Sequence, residues 1–93
     1  MTNPEHPGAI LREDVLAALG ISVSAAAESF GVSRVTLSRV IIEHARNSPN
    51  LAVRLESAGV GTARGWLAMQ TAHDLAGERA AGLPKVRRLG TVA

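Results

Sequence analysis

Between residues 22 and 43 the chain reads SVSAAAESFGVSRVTLSRVIIE, and this stretch decides the fold. Ser22 is suited to cap a helix, because its hydroxyl can accept from an amide two or three positions on. Behind it Ala26, Ala27 and Phe30 recur at helical spacing, and Gly31 supplies a residue free to turn left-handed and stop the helix. Only Gly31 and Val32 intervene before Ser33, a second capping residue, after which Leu37, Val40 and Ile41 recur at the same spacing. Residues 22–43 are therefore predicted to be a helix, a tight glycine turn and a second helix.

The flanks extend the same pattern. Pro7 is placed to open a helix, Ile10, Leu11, Val15, Leu16 and Leu19 recur along it, and Gly20 stops it. Pro49, behind Ser48, starts a fourth helix with Leu55 and either Ala52 or Val53 facing in, ended near Gly59. Thr62 caps a fifth, from about Ala63 to Ala80, which carries Trp66, Leu67, Met69 and Leu75. Gly82-Leu83-Pro84 then separates a basic tail. The chain is expected to be all-α, one domain over residues 1–93. The helix-turn-helix (about 22–43) would lie within a helical core (7–58), leaving the last helix (about 62–80) and the tail (81–93) for dimer or partner contacts.

Composition agrees with this reading and narrows the chemistry. A chain of 93 residues that is 46% hydrophobic can fill one core, and with Phe30 and Trp66 as the only aromatic residues that core must be aliphatic. The absence of cysteine removes disulfides, thiolate catalysis and thiolate metal sites. There is no signal peptide and no apolar run near the ~20 residues that span a bilayer, so a cytoplasmic protein is expected, with no membrane partner. The pI of about 10.5 overstates the basic character, since the net charge is only +2 and nine of the ten basic residues are arginine. Lys85, Arg87 and Arg88 sit in the tail, leaving seven basic residues against eight acids before it. Any nucleic-acid-binding face must be a local patch on a nearly neutral body.

The third helix offers such a patch. At ~100° per residue, Leu37, Val40 and Ile41 fall on one side and Val35, Ser38, Arg39 and Ile42 on the other, with Arg34 at the edge. Arg34 and Arg39 can fork onto guanine edges or phosphates. Ser33, Thr36 and Ser38 can bond phosphates or bases, and Val35 can touch a thymine methyl. No metal site or cofactor is expected, because His6, His44 and His73 are widely spaced and lack an acidic cluster. No residue sits in a nucleophile turn, and Gly59, Gly61 and Gly65 follow no strand, so an enzyme is not expected. Trp66 reads as a core anchor or a dimer contact, and Gly65 beside it as a place where the backbone approaches another surface.

In order and spacing the chain resembles the HigA-type antitoxins, a branch of the Cro/repressor-like (XRE) helix-turn-helix proteins. The likeness runs from about Asn3 to Ala80. It is carried by His6-Pro7-Gly8, Ile10-Leu11-Arg12-Glu13, Leu19-Gly20-Ile21-Ser22, Gly31-Val32-Ser33-Arg34 and Thr36-Leu37-Ser38, then by Ser48-Pro49, Ala52, Arg54-Leu55-Glu56, Trp66-Leu67 and Asp74-Leu75. The resemblance implies a five-helix homodimer that represses transcription from its own operator DNA and neutralises a RelE-like mRNA-cleaving toxin. It also implies that Ser33, Arg34, Thr36 and Ser38 begin the recognition helix. The chain departs from the family at Val23 and Val35, where a Gln is usual. It departs again at Ile42-Glu43-His44-Ala45-Arg46, where Asn-Gly and basic residues are usual, and at Gly65 and His73, usually Phe and Tyr. An alternative follows from these departures: a dimeric interaction module on the same fold that has lost operator binding. It is favoured if Val23, Val35 and Ile42 are buried against a partner in a dimer, and disfavoured if they lie free beside Arg34 and Arg39.

Overall fold

The computed structural model describes residues 4–90. Helix α1 comprises Pro7–Ile10 and runs without a break into a π-helical stretch, Leu11–Ala17; α2 is Val23–Phe30, α3 Arg34–Ile41, α4 Pro49–Ser57 and α5 Ala63–Ala81. The fold is all-α, as expected.

Capping explains where the helices begin. Ser22, Ser33, Ser48 and Thr62 each accept the amide three residues on, from Ala25, Thr36, Leu51 and Gly65, at 3.0–3.2 Å. Each such cap stabilises by about 1 kcal/mol. Between α2 and α3, Gly31 takes φ 70° and its amide returns to the carbonyls of Ala27 and Glu28. At the end of α3 the left-handed residue is Glu43, φ 65°, a side chain in a conformation that favours glycine, in the stretch where the resembling family has Asn-Gly.

The core is formed by Leu11 and Leu16 of the π-helical stretch, Ala26, Ala27 and Phe30 of α2, Leu37, Val40 and Ile41 of α3, Leu51, Ala52 and Leu55 of α4, and Trp66 of α5. One inward assignment from the sequence changes, and one that was left open is decided. Leu19 is 66% exposed, because the i→i+5 hydrogen-bond repeat of the π stretch brings Leu11 and Leu16, five apart, to the same side and rotates Leu19 away. In α4 the core takes Ala52 and also Leu51, leaving Val53 exposed. Gly65 is the third residue of α5; a Cβ there would lie 2.9 Å from Thr62 Oγ1, so the space beside it holds the helix cap and not another surface. The molecule measures 53 × 23 × 23 Å, longer than it is wide, with residues 77–90 exposed throughout.

Several residues of the family resemblance hold α3 in place. A Cβ on the buried Gly8 would lie 1.9 Å from the Val40 carbonyl oxygen, so α1 and α3 approach at a distance only glycine permits. The Arg12 guanidinium donates to the Ile41 carbonyl at the end of α3, and its Nε pairs with Glu13 at 3.0 Å. Arg54 of α4 donates to the carbonyls of Phe30 and Gly31, both at 3.1 Å, tying down the turn that leads into α3. Glu56 accepts the Ala63 amide at 2.9 Å and joins α4 to the start of α5.

His6 caps α1 in an unusual way: its Nδ1 accepts the Gly8 amide at 2.9 Å while the ring is buried, edge-on to His73 at 5.1 Å. His73 in turn is bonded to the Pro4 carbonyl at 2.9 Å, so the residue in the family's usual Tyr position fastens the N-terminal segment to α5. Burial lowers the His6 pKa from 6.5, aided by the charge of His73 and opposed by Glu43, Asp74 and a hydrogen bond to the Ala45 backbone. The folded chain therefore binds a proton at His6 less readily than the unfolded chain. The stability it contributes is complete above pH 6.5 and is lost as the pH falls below that value and through the lowered one. Wild-type melting temperature is expected to fall between about pH 8 and about pH 5, and His6→Asn, which keeps a capping acceptor without titrating there, should flatten that fall. An equal fall in both proteins would remove His6 as the cause.

Candidate nucleic-acid interface

Helix α3 presents two faces. Leu37, Val40 and Ile41 are 0–6% exposed and pack inward. Arg34, Val35, Thr36 and Arg39 are exposed, and Ser38 is half-buried at their edge. Neither Arg34 nor Arg39 takes part in an ion pair or a side-chain hydrogen bond among the described residues, so both guanidinium forks are available to a ligand. Arg39, in the last turn, also complements the negative end of the helix dipole.

The hydroxyls are less free than their number suggests. Ser33 Oγ accepts the Thr36 amide and donates its own proton to Thr36 Oγ1 at 2.8 Å, so Ser33 is occupied in capping. The Thr36 O–H remains able to donate outward.

Val23 and Val35, the two positions where the resembling family has Gln, have different environments. Val23, at the start of α2, is half-buried against the core. Val35 is 68% exposed and Ile42 49% exposed, on the same outward line as Ser38 and Arg39. Within the single chain, Val35 and Ile42 are exposed beside the two arginines.

Two further features escaped the reading of the sequence. A cleft of about 220 Å³ where α3 meets the start of α4 is lined by Thr36, Arg39, Arg46 and Ser48 among others. Arg46 also pairs with Asp74 of α5 at 2.8 Å. The signal was present in Ser48-Pro49, a helix start that follows a basic residue. The second feature is a groove of about 720 Å³ on α5, lined by Arg64, Leu67, Ala68, Thr71, Ala72 and Leu75. Their spacing of three and four makes one continuous stripe on the exposed side of the helix, and Leu75 is 45% exposed. Trp66 and Gln70 point the other way, into the body.

No protein-family profile matches the chain. It is 40% identical over 70 residues to virulence-associated protein I of Dichelobacter nodosus, covering 75% of this chain and 65% of that protein. It is 36% identical over 89 residues to virulence-associated protein A′ of the same organism, covering 92% of this chain and 76% of the relative. Among solved structures it is similar to the Pseudomonas aeruginosa antitoxin HigA with the higBA promoter. The TM-score is 0.80 and the identity 35%, with 84% of this chain and 85% of that one covered. With this identity and coverage, the chain belongs to the HigA-type antitoxin family of helix-turn-helix proteins.

Proposed function

We propose that this protein is a sequence-specific transcriptional repressor, the antitoxin of a toxin–antitoxin pair, which binds an operator in its own promoter and neutralises a RelE-like mRNA-cleaving toxin in the cytoplasm. One observation carries the reading: an outward face of α3 with two unpaired guanidinium groups, on a helix held by Gly8, Arg12 and Arg54, in a chain whose solved relative is a promoter-bound antitoxin. The start of α3 enters the major groove, as recognition helices do. Arg34 and Val35 face base edges, and Thr36 and Ser38 bond bases or phosphates. Ser33 fixes the first turn, and Arg39, at the mouth of the cleft it shares with Thr36, Arg46 and Ser48, meets the phosphate backbone.

The active form is a homodimer. One short helix offers too little contact for specific binding, whereas two half-sites double it, and the stripe from Leu67 to Leu75 is an apolar surface that a second copy can cover. The two α3 helices would then lie about 34 Å apart, one turn of DNA.

Light scattering at micromolar concentration is expected to give twice the 9.7 kDa chain mass. Gel shifts are expected to show binding to the promoter fragment at least ~10³-fold tighter than to random DNA at physiological salt. A monomer in solution would remove the dimer, and equal affinity for the two DNAs across a salt titration would remove the repressor.

A further inference from the structure

We infer that Val35 is a specificity-determining residue that reads the methyl group of a thymine in each half-site. The inference rests on the operator-binding reading above and adds the base that is read. Its starting point is the inventory of the first turn of α3. Ser33 Oγ is engaged with the Thr36 amide and hydroxyl. Arg34 carries a long charged fork that serves phosphate or guanine equally. Val35, 68% exposed, is the only exposed side chain of that turn without a polar atom. Docking it into a groove removes water from whatever lies opposite. Against a cytosine amino group, or an adenine amino group and N7, that desolvation leaves polar atoms unpaired. The major groove holds one apolar group, the C5-methyl of thymine, and only there does burial of Val35 gain on both sides. Val35 and Ile42 stand seven positions apart on the same line, so Ile42 lies about 10 Å further along the helix, beyond the N-terminal turns that reach base edges.

The test uses the dT→dU exchange, which deletes the methyl and leaves every hydrogen-bonding group in place. A set of promoter fragments, each with one dT replaced by dU, is titrated with the full-length protein. One position per half-site is expected to lose about fourfold in affinity, and about fifteenfold when both half-sites are changed. Val35→Ser should erase that difference while binding the dU fragment as tightly as the dT fragment. Its melting temperature should match wild type, because the side chain is exposed. Specific binding with no sensitive dT, a dT→dU loss that persists in Val35→Ser, or one erased by Ile42→Ser instead would each overturn the assignment and leave operator binding standing. Binding no tighter than to random DNA would overturn both.

Discussion

Trp66→Ala is expected to destabilise the protein by about 3–5 kcal/mol, the range for deleting a buried aromatic side chain, and to lower the thermal and urea midpoints accordingly. Trp66 is 4% exposed and is one of only two buried residues of α5, the other being Gln70. Its indole N–H donates to the Val60 carbonyl at 2.7 Å, and its ring lies over Gly61, where a Cβ would come within 2.9 Å of Nε1. The truncation therefore removes buried surface, leaves a cavity between α4 and α5, and strips a partly buried carbonyl of its donor. A domain of this size has about 5–15 kcal/mol in all, so the loss is about a fifth or more of the total. Trp66→Phe, which keeps a six-membered aromatic ring and loses the rest of the indole with its N–H, should recover part of the loss. Circular dichroism is the readout, since Trp66 is the only tryptophan. An unchanged midpoint for Trp66→Ala would mean that α5 is held by other contacts.

The parts of the fold legible in the sequence are those whose signals are local. Ser22, Gly31 and Ser33 are each interpretable from a few neighbouring residues, and α2 and α3 fall where their caps and apolar spacing put them. The first helical segment, α1 with the π-helical stretch after it, was harder, because its apolar residues fit a 3.6-residue period well enough to place Leu19 inside. Nothing local announces the wider repeat that brings Leu11 and Leu16 together. In α4 the choice between Ala52 and Val53 depends on where α2 and α5 pack against it, which is a tertiary fact. The outward face of α3 followed from its period, but the bonds of the Ser33 hydroxyl to the Thr36 amide and side chain did not. The roles of Gly8, Arg12 and Arg54 were invisible, since each reaches a carbonyl 23 to 32 positions away in the chain. A sequence cannot show which backbone oxygen a side chain will meet.

Replacing Arg34 and Arg39 by Ala is expected to weaken promoter binding by about 1–3 kcal/mol for each arginine, about five- to 150-fold, with only a small change in melting temperature, from the helix dipole. The two effects should differ in kind. Arg34 lies in the first turn beside Val35, so if it forks onto a guanine, Arg34→Ala relaxes preference at one base pair per half-site. Arg39 lines the cleft with Arg46 and Ser48, so if it meets the phosphate backbone, Arg39→Ala weakens binding to every sequence alike. It also reduces the slope of log affinity against log salt by about one for each phosphate contact removed, or about two in a dimer. These charges matter more here than in a strongly basic protein: the body before the tail has seven basic residues to eight acids, so little background attraction replaces them. Arg54→Ala is the control. Its guanidinium holds the Phe30 and Gly31 carbonyls, so it should lower the melting temperature as well as affinity. If Arg34→Ala and Arg39→Ala fold normally and bind the promoter with wild-type affinity and salt slope, α3 is not the surface that meets DNA.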